Sequence, residues 1–300
     1  MRSTSTTGED AHSGWAGQVR IPLQWSMASP GAPCLNRLAM NRRQFLRLMP
    51  ASTALATGCA TVSSGERLRV MTFNLHHGEG EDGKLDLERI ARVIRESRAD
   101  LVALQEVDVR TQRTGRVDQA AEYIRLTGLH GQFGKAIDFQ GGAYGGMLLS
   151  RWPISDFQVH ALPNPVKREQ RIALSARIAP PGMTPLRFVG THLDASRDDG
   201  DRWVQAARLQ EGFGSDPGPV ILAGDFNDQP ESRVMQRLLA DWEDASAAAP
   251  APTIPARNPT ARIDFVLLRP RSGWRVNRSE VLAEAMASDH RPVLVELMGR

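Results

Sequence analysis

Val220-Ile221-Leu222-Ala223-Gly224-Asp225-Phe226-Asn227 is the stretch that decides the fold. Its first four residues form an apolar run of strand length, which is typical of a strand buried on both faces. Gly224 lets the backbone turn sharply, and Asp225 and Asn227 then follow the end of the strand. Taken alone, Gly-Asp-Phe-Asn favours an Asx turn, so a functional reading depends on what the rest of the chain places beside it.

Further polar clusters stand at the ends of apolar runs elsewhere in the chain. They are Thr72-Phe73-Asn74, Leu104-Gln105-Glu106, Arg171, Thr191-His192-Leu193-Asp194 and Ser288-Asp289-His290, and Asp264 lies inside Arg262-Ile263-Asp264-Phe265-Val266. Polar residues at the ends of buried strands surface at a sheet edge, so we expect these clusters to meet in one pocket. Hard divalent cations take oxygen ligands, and phosphate takes Arg and His donors. The pattern therefore indicates a metal-dependent phosphoester hydrolase.

The charge of the chain is unevenly distributed. Residues 1–59 hold six Arg and two acidic residues, which leaves 31 basic and 32 acidic residues for 60–300. The part expected to fold is thus near neutral, although the sequence pI is 9.2. A near-neutral average argues against a broad basic surface for a polyanion but leaves a local basic patch open. No run of about 18 apolar residues occurs, so no ordinary transmembrane helix is expected.

The N-terminal segment resembles an export leader. We expect residues 1–39 to be disordered or a mis-assigned extension, with Met40 as the true start. Residues 40–65 join Arg42-Arg43-Gln44-Phe45-Leu46-Arg47 to a mildly apolar segment, as in a twin-arginine signal. Ala56-Thr57-Gly58-Cys59 resembles a lipoprotein box, which predicts a lipidated Cys59 and attachment to a membrane surface. We therefore expect an extracytoplasmic protein; the alternative is an accidental Arg pair and a cytoplasmic one.

The remaining sequence predicts one domain over residues 66–300. Apolar runs predict strands at 68–75, 101–104, 145–150, 157–162, 171–178, 186–192, 220–223, 262–268, 274–282 and 292–297. Helical spacing predicts a helix capped by Asp86, then helices at 118–127, 200–212 and 231–240, with Ala121, Ile124 and Leu126 facing inward in the second. The Ala/Pro-rich stretch 245–259 is expected to be a surface loop. No linker divides this region, so we expect an α+β domain with two sheets and outer helices.

The residue types at the strand ends are those that phosphoester chemistry requires. A carboxylate such as Glu106 is an expected Mg²⁺ ligand, because Mg²⁺ keeps most of its waters. His192 and His290 each stand beside an Asp, and His can move protons near neutral pH. Asp264 next to His290 would fix its tautomer and raise its pKa. Arg171, at the start of a strand, offers a fork of donors to phosphate.

Other hydrolytic chemistries lack their motifs. The sequence contains no Gly-x-Ser-x-Gly elbow, no His-Glu-x-x-His zinc motif and no P-loop. Both cysteines, Cys34 and Cys59, precede the expected domain, which excludes a thiolate mechanism there.

Together, the ordered motifs resemble the endonuclease/exonuclease/phosphatase superfamily. They are Asn74, Gln105-Glu106, Thr191-His192-Leu193, Gly224-Asp225-Phe226-Asn227, Ile263-Asp264-Phe265 and Ser288-Asp289-His290, within about residues 67–298. The resemblance implies the deoxyribonuclease-I-like fold, a four-layer αββα sandwich in which two mixed β-sheets pack face to face with helices outside.

The resemblance also implies a role for each site residue. Glu106 and Asn74 correspond to the site of Mg²⁺, or of Mn²⁺, and Asp289 joins them. Asp225 and Asn227 orient the attacking water and the phosphate. His290, supported by Asp264, and His192 stabilise the phosphate and move protons, and the resemblance leaves open whether the first proton goes to Asp225 or to a His. Arg171 and Tyr144 contact the phosphate.

The sequence leaves the substrate open among phosphoesters. The near-neutral domain and the expected export favour a phosphodiester outside the cytoplasm, either nucleic acid or a lipid-derived headgroup. A nuclease acting on DNA or RNA is the alternative, and Arg110, Arg113 and Arg116 could flank its pocket. A solvated loop explains these three arginines slightly better. A non-catalytic binding module ranks low, because none of the expected site residues is lost. The oligomeric state stays open.

Overall fold

The computed structural model describes residues 67–270 and 273–299, and the predictions for residues 1–65 lie outside this part of the chain. Its strands are β1 (Arg67–Asn74), β2 (Leu101–Val109), β3 (His130–Phe139), β4 (Gly142–Ser150), β5 (Ser155–Ala161), β6 (Ile172–Ile178), β7 (Leu186–His192), β8 (Val220–Asp225), β9 (Glu243–Asp244), β10 (Asp264–Arg269), β11 (Trp274–Val281) and β12 (Val293–Gly299). Its α-helices are α1 (Leu87–Ser97), α2 (Gln119–Thr127), α3 (Gly200–Phe213) and α4 (Arg233–Leu239), and 3-10 helices cover His76–Gly78 and Ala245–Ala248.

The strands form two mixed six-stranded sheets. Their orders are β11-β12-β1-β2-β4-β3 and β5-β6-β7-β8-β10-β9. In each sheet one central pair is parallel, β1 with β2 and β7 with β8, and the other neighbours are antiparallel. Three of these four strands, β1, β7 and β8, end in the polar residues Asn74, His192 and Asp225, as the strand-end pattern predicts.

Three apolar clusters divide the domain into four layers. The central cluster joins side chains of both sheets, among them Leu101, Leu148, Phe188 and Val266. A second cluster packs α3 and α4 against one sheet, and a third packs α1 and α2 against the other. The layers therefore run helix, sheet, sheet, helix, which confirms the αββα sandwich. Within the described residues, no helix is long and apolar enough to span a membrane.

Helix starts agree with the capping residues in the sequence. The side chain of Asp86 accepts a hydrogen bond from the Arg89 amide at 2.9 Å and begins α1, as predicted. Asp118 caps α2 in the same way through Ala121. These caps fix where each helix meets its sheet.

The buried face of α2 differs from the prediction. Ala121 and Ile124 are exposed and Leu126 is only half-buried, whereas Gln119, Ala120 and Tyr123 are buried. The helix has this orientation because the Gln119 side chain makes a buried hydrogen bond. Its Oε1 accepts from the Asp108 amide at 2.9 Å. A buried polar anchor thus outweighs the exposure of one isoleucine.

Two further segments depart from the expected pattern. Strand β3 was not predicted, because it is an edge strand with Gly131, Gly134 and polar residues among its few apolar ones. The stretch 245–259 is not purely a surface loop, since it opens with a 3-10 helix and buries Ala245, Ser246, Thr253 and Ala256.

Candidate active site

The ends of four strands lie side by side where the two sheets meet. Asn74 is the last residue of β1, His192 of β7 and Asp225 of β8. Asp264 is the first residue of the antiparallel strand β10, and it pairs in register with Asp225. His192 pairs with Asp225 from the other side. The sheet register therefore places these side chains next to one another, as the sequence pattern predicts.

Asn74 connects the two sheets through one amide group. Its Nδ2 donates to Oε1 of Glu106 at 3.2 Å and to Oδ2 of Asp225 at 3.0 Å. Its Oδ1 accepts from the backbone amide of His76 at 3.0 Å, which fixes the orientation of the amide. Asn74 thus holds an acid of each sheet at a set position, and it is almost completely buried.

Glu106 lies at a β-bulge inside β2, not at the end of a strand as predicted. The pairing of β2 with β4 shifts between Leu104 and Val107, and Glu106 has a φ of +60°. Such a conformation costs a non-glycine residue about 1–3 kcal/mol and is concentrated at functional sites. The bulge re-aims this side chain into the site. Burial raises the pKa of Glu106, and the charge of Asp289 raises it further.

Asp225 and Asn227 form the Asx turn that the sequence suggests. Oδ1 of Asp225 accepts from the Asn227 amide at 2.8 Å, and Asn227 has a left-handed φ of +51°. The Nδ2 group of Asn227 donates to the Leu193 carbonyl at 3.1 Å, which ties this turn to the end of β7. The Asx turn uses only Oδ1 of Asp225, and Oδ2 faces the site. Asp225 can therefore both form the turn and take part in the chemistry of the site.

His290 lies between two buried carboxylates. Its Nδ1 is 2.9 Å from Oδ2 of Asp264, and its Nε2 is 3.7 Å from Oδ2 of Asp225. Burial lowers the pKa of His290, but the Asp264 carboxylate outweighs it, and the net effect raises the pKa to about 10. His290 is therefore a cation at neutral pH. This confirms the contact with Asp264 expected from the sequence.

The pKa of Asp225 is also raised, which for a carboxyl group favours the neutral form. Burial and the neighbouring Asp264 charge raise the pKa of Asp225 to about 7, against the opposing pull of His290. A carboxyl group with this pKa can both take and return a proton near neutral pH.

His192 is the neutral partner of His290. Burial and the nearby Arg171 cation hold the pKa of His192 well below its usual range. An Nη1 hydrogen of Arg171 points to Nδ1 of His192 across 3.3 Å, so Nδ1 accepts and Nε2 carries the proton. That Nε2 lies 3.6 Å from Oδ2 of Asp225. Two histidines in opposite charge states thus face one carboxyl group, which is the pattern of a divided acid–base site.

Arg171 and Tyr144 form the other wall. Both are nearly buried, and both line a small cavity together with His192 and Gln105. Nη1 of Arg171 also pairs with Oε1 of Glu169 at 2.7 Å, while its buried Nε has no partner among the described residues. Burial raises the pKa of Tyr144, as do the charges of Glu106 and Glu169, so the phenol stays protonated.

The Ser288-Asp289-His290 loop is fastened to β1. Oγ of Ser288 donates to the Asn74 carbonyl at 2.7 Å, and the His290 amide donates to the same Oγ at 3.2 Å. Asp289 is half-buried beside it. One serine therefore sets the position of both charged residues that follow it.

Two sets of acids could hold a cation, and their chemistry differs. One ligand atom from each of Asp225, Asp264 and His290 lies within 4.8 Å of the others. Nδ1 of His290 and Oδ2 of Asp264 are already within hydrogen-bond distance, at 2.9 Å, so in this arrangement a shared proton occupies two of the three groups. Glu106 and Asp289 repel each other, and the hydrogen bond to Glu106 comes from a neutral amide. A divalent cation with oxygen ligands fits this second pair.

The structure brings all ten predicted residues to one place, with Asn227 turned toward Leu193 instead of the acids. The sequence assigns no role to Glu169 or Ser288. Ser288 belongs to the quoted cluster Ser288-Asp289-His290, and the only sequence signal for Glu169 is its position two residues before Arg171. For Arg113 the sequence favours a solvated loop only slightly over a place beside the pocket, and in the structure it pairs with the buried Asp108 at 2.7 Å.

Comparisons with known proteins identify relatives that are similar in sequence and in fold. YbhP of Escherichia coli (strain K12) is 26% identical over 245 residues, which cover 76% of this chain and 95% of that protein. An endonuclease/exonuclease/phosphatase from Beutenbergia cavernae DSM 12333 has a similar structure, with a TM-score of 0.66 and 26% identity over 78% of this chain and 72% of the other.

A more distant structure shares the fold alone. The mannosyl-6-phosphatase Bt3783 of Bacteroides thetaiotaomicron VPI-5482 has a TM-score of 0.63 and 20% identity, over 77% of this chain and 99% of that one. The sequence model of the Endonuclease/Exonuclease/phosphatase family matches residues 71–290, a span that holds every predicted site residue. Members of this family hydrolyse phosphoester bonds. The chain belongs to the Endonuclease/Exonuclease/phosphatase family.

Proposed function

We propose that this protein is a metal-dependent phosphoesterase that hydrolyses a phosphodiester, or a phosphomonoester, by in-line attack of water on phosphorus. The observation that carries the proposal is the unbroken series of contacts Asp264–His290–Asp225–Asn74–Glu106. It joins a proton-holding group to a cation-binding acid across the two sheets. Both are required when water attacks a charged phosphate.

Asp225 is the group that takes the proton from water. Its pKa of about 7 makes it partly ionised at neutral pH, and Oδ2 is oriented by Asn74. His290 is a cation beside it and opposes the negative charge that develops on the phosphate oxygens. Asp264 keeps His290 protonated and in a fixed ring orientation.

His192, Arg171 and Tyr144 contact the phosphate. Neutral His192 has an Nε2–H to donate, because Arg171 occupies its Nδ1. Arg171 has a buried Nε–H without a partner among the described residues, which a phosphate oxygen would satisfy. Tyr144 stays protonated and adds a neutral donor.

Glu106 and Asp289, with Asn74 orienting Glu106, are the residues that would hold Mg²⁺, or Mn²⁺. When bound, such a cation neutralises charge on the phosphate and on the leaving oxygen. The strained bulge at Glu106 supports this role, since it turns a carboxylate of an otherwise regular strand into the site.

The choice among phosphoester substrates rests on the charge of the domain and on one structural relative. The near-neutral charge of residues 60–300 favours a small phosphodiester over nucleic acid, because DNA binding depends on many Lys and Arg contacts. A nuclease acting on DNA or RNA is the second candidate. Phosphomonoesters are also substrates to test, because one protein with the same fold is a mannosyl-6-phosphatase. A non-catalytic binding module ranks last, because the site retains every expected acid and base.

We further propose that the protein works outside the cytoplasm, held at a membrane surface by a lipidated Cys59. The basic start at Met40 and the Cys-containing box support this, and both lie outside the described residues. Mass spectrometry of the mature N-terminus tests it. A lipid-modified peptide beginning at Cys59 is expected, and a native peptide from residues 1–39 would contradict it.

The activity is tested on the purified full chain with plasmid DNA, a phosphoinositide and bis-p-nitrophenyl phosphate, each with Mg²⁺ and with EDTA. We expect turnover of bis-p-nitrophenyl phosphate that needs Mg²⁺ and little cutting of DNA. Faster cutting of DNA would favour the nuclease. Binding of the substrates without turnover in Mg²⁺ would favour the binding module.

A further inference from the structure

The segment that follows Glu106 carries an arginine that is locked in place. Arg113 donates from Nε to Oδ2 of Asp108 at 2.7 Å and from Nη2 to Oδ1 of the same residue at 2.9 Å. Asp108 is completely buried and also accepts from the hydroxyl of Thr111 at 2.6 Å. A two-pronged pair of this kind fixes the plane of the guanidinium as well as its position.

The same guanidinium lies over two aromatic rings. Its central carbon is 4.8 Å from the ring centre of Phe139 and 5.5 Å from that of Tyr144. The two rings are 6.3 Å apart and tilted against each other. Arg113 therefore joins the ring of a phosphate-contacting residue to a buried carboxylate, and cation–π attraction favours this arrangement.

The loop around Arg113 is built to hold it there. The Arg113 amide donates to Oε1 of Gln140 at 2.8 Å, in the turn between β3 and β4. Gly142, the first residue of β4, lets the chain before Arg113 approach closely, because a Cβ atom there would lie 2.3 Å from the Val109 carbonyl oxygen. Tyr144 stands two residues further along β4, so the loop is docked on the strand that carries it.

We propose that Arg113 is a positioning residue, which holds the ring of Tyr144 so that its hydroxyl meets the phosphate beside Arg171. The inference rests on the proposed function, since it gives Tyr144 a role in binding the substrate. It also gives a role to one of the three arginines for which the sequence slightly favours a solvated loop. The guanidinium plane matters more than the charge, so lysine cannot replace it: lysine has neither the fork for Asp108 nor a flat face for the rings.

A double-mutant cycle on the full chain tests the inference with bis-p-nitrophenyl phosphate. We expect Arg113→Lys and Tyr144→Phe each to lower kcat/KM at least tenfold. The double variant should be no more than about twofold worse than the poorer single variant, because both remove the same contact. Arg116→Lys, an exposed arginine in the same loop, is the control and should stay within twofold of wild type. Multiplying losses in the double variant, or a fully active Arg113→Lys, would overturn the inference.

Phe139→Leu gives the same cycle if Arg113→Lys folds poorly. This variant leaves the pair of Arg113 and Asp108 intact and removes only one of the two rings beneath the guanidinium. We expect a threefold to tenfold loss of kcat/KM in the wild-type background and no further loss in Tyr144→Phe. An equal loss in both backgrounds would overturn the inference.

A second readout does not depend on turnover. The chain has only two tyrosines, Tyr123 and Tyr144, so fluorotyrosine labelling gives one ¹⁹F signal for each. We expect Arg113→Lys to shift and broaden the Tyr144 signal and to leave that of Tyr123, which lies buried in α2, unchanged. An unchanged Tyr144 signal would overturn the inference. Absence of hydrolysis by the wild-type chain would reject the proposed function, while these spectra would still decide whether Arg113 positions Tyr144.

Discussion

Nδ1 of His290 lies 2.9 Å from Oδ2 of Asp264, and this hydrogen bond sets the charge state of the site. Because Asp264 keeps His290 protonated, the pKa of His290 rises to about 10, and the same Asp264 charge helps to raise the pKa of Asp225 to about 7. One carboxylate thus controls both groups that would exchange protons during hydrolysis.

The first prediction is a bell-shaped pH profile. Below about pH 7 Asp225 is protonated and cannot accept a proton from water, so kcat/KM should rise through this range. Above about pH 10 His290 loses its proton, so activity should fall there. Removing the Asp264 charge lowers both pKa values, and Asp264→Asn should therefore move both limbs to lower pH by about one unit or more.

The profile is measured with bis-p-nitrophenyl phosphate in Mg²⁺, with Asp241→Asn at the surface as the control. Asp241→Asn should reproduce the wild-type profile. A uniform loss of activity in Asp264→Asn, with both limbs in their original places, would show that Asp264 does not set these pKa values.

The second prediction concerns the metal site. Glu106→Gln keeps the size of the side chain but removes the charge, so the Mg²⁺ concentration for half-maximal activity should rise by about 10- to 100-fold. Asp289→Asn should act in the same direction with a smaller effect. Metal titrations of activity and of heat release by calorimetry check this, with the exposed Glu231→Gln as the control. An unchanged Mg²⁺ requirement in Glu106→Gln would indicate that the metal binds at Asp225, Asp264 and His290 instead.

The third prediction uses two glycines as a matched pair. A Cβ atom at Gly224 would lie 2.1 Å from the Thr191 carbonyl oxygen, between β7 and β8 and next to Asp225. Gly224→Ala should therefore lower the free energy of unfolding by about 1–3 kcal/mol and also reduce activity. Gly212 in α3 has open space, so Gly212→Ala should raise it by about 0.5–1 kcal/mol without changing activity.

Urea unfolding followed by circular dichroism measures both variants. If Gly224→Ala were as stable and as active as wild type, the close approach of the two strands would not be what positions Asp225.

Much of the fold was readable from the sequence because buried strands leave a simple signal. The apolar runs at 186–192 and 220–223 predict β7 and the body of β8, and each ends in a residue of the site. Strand β3 was not predicted because it lies at a sheet edge, where glycines and polar residues are tolerated. The prediction of the buried face of α2 was wrong because the buried Gln119, with hydrogen bonds to Asp108 and His77, sets the rotation of the helix about its axis.

The residues of the site could be predicted from the sequence, but their geometry could not. Motif order brought Asn74, Asp225 and His290 together, yet no local pattern indicates the left-handed backbone of Glu106. Its bulge depends on the pairing of β2 with β4, which the chain forms only on folding. The pairing of Arg113 with Asp108 was not predicted for a related reason, since an arginine in a polar loop looks solvated until its buried partner is known.

The central claim is that Asp225 activates water for attack on a phosphoester at this site. The most direct test compares kcat for hydrolysis of bis-p-nitrophenyl phosphate by wild type and Asp225→Asn, with Asp241→Asn as a matched surface control. Circular dichroism and the melting temperature establish that both variants fold. We predict that Asp225→Asn lowers kcat by at least about 1,000-fold and Asp241→Asn by less than twofold. A folded Asp225→Asn variant within tenfold of wild type would contradict the claim.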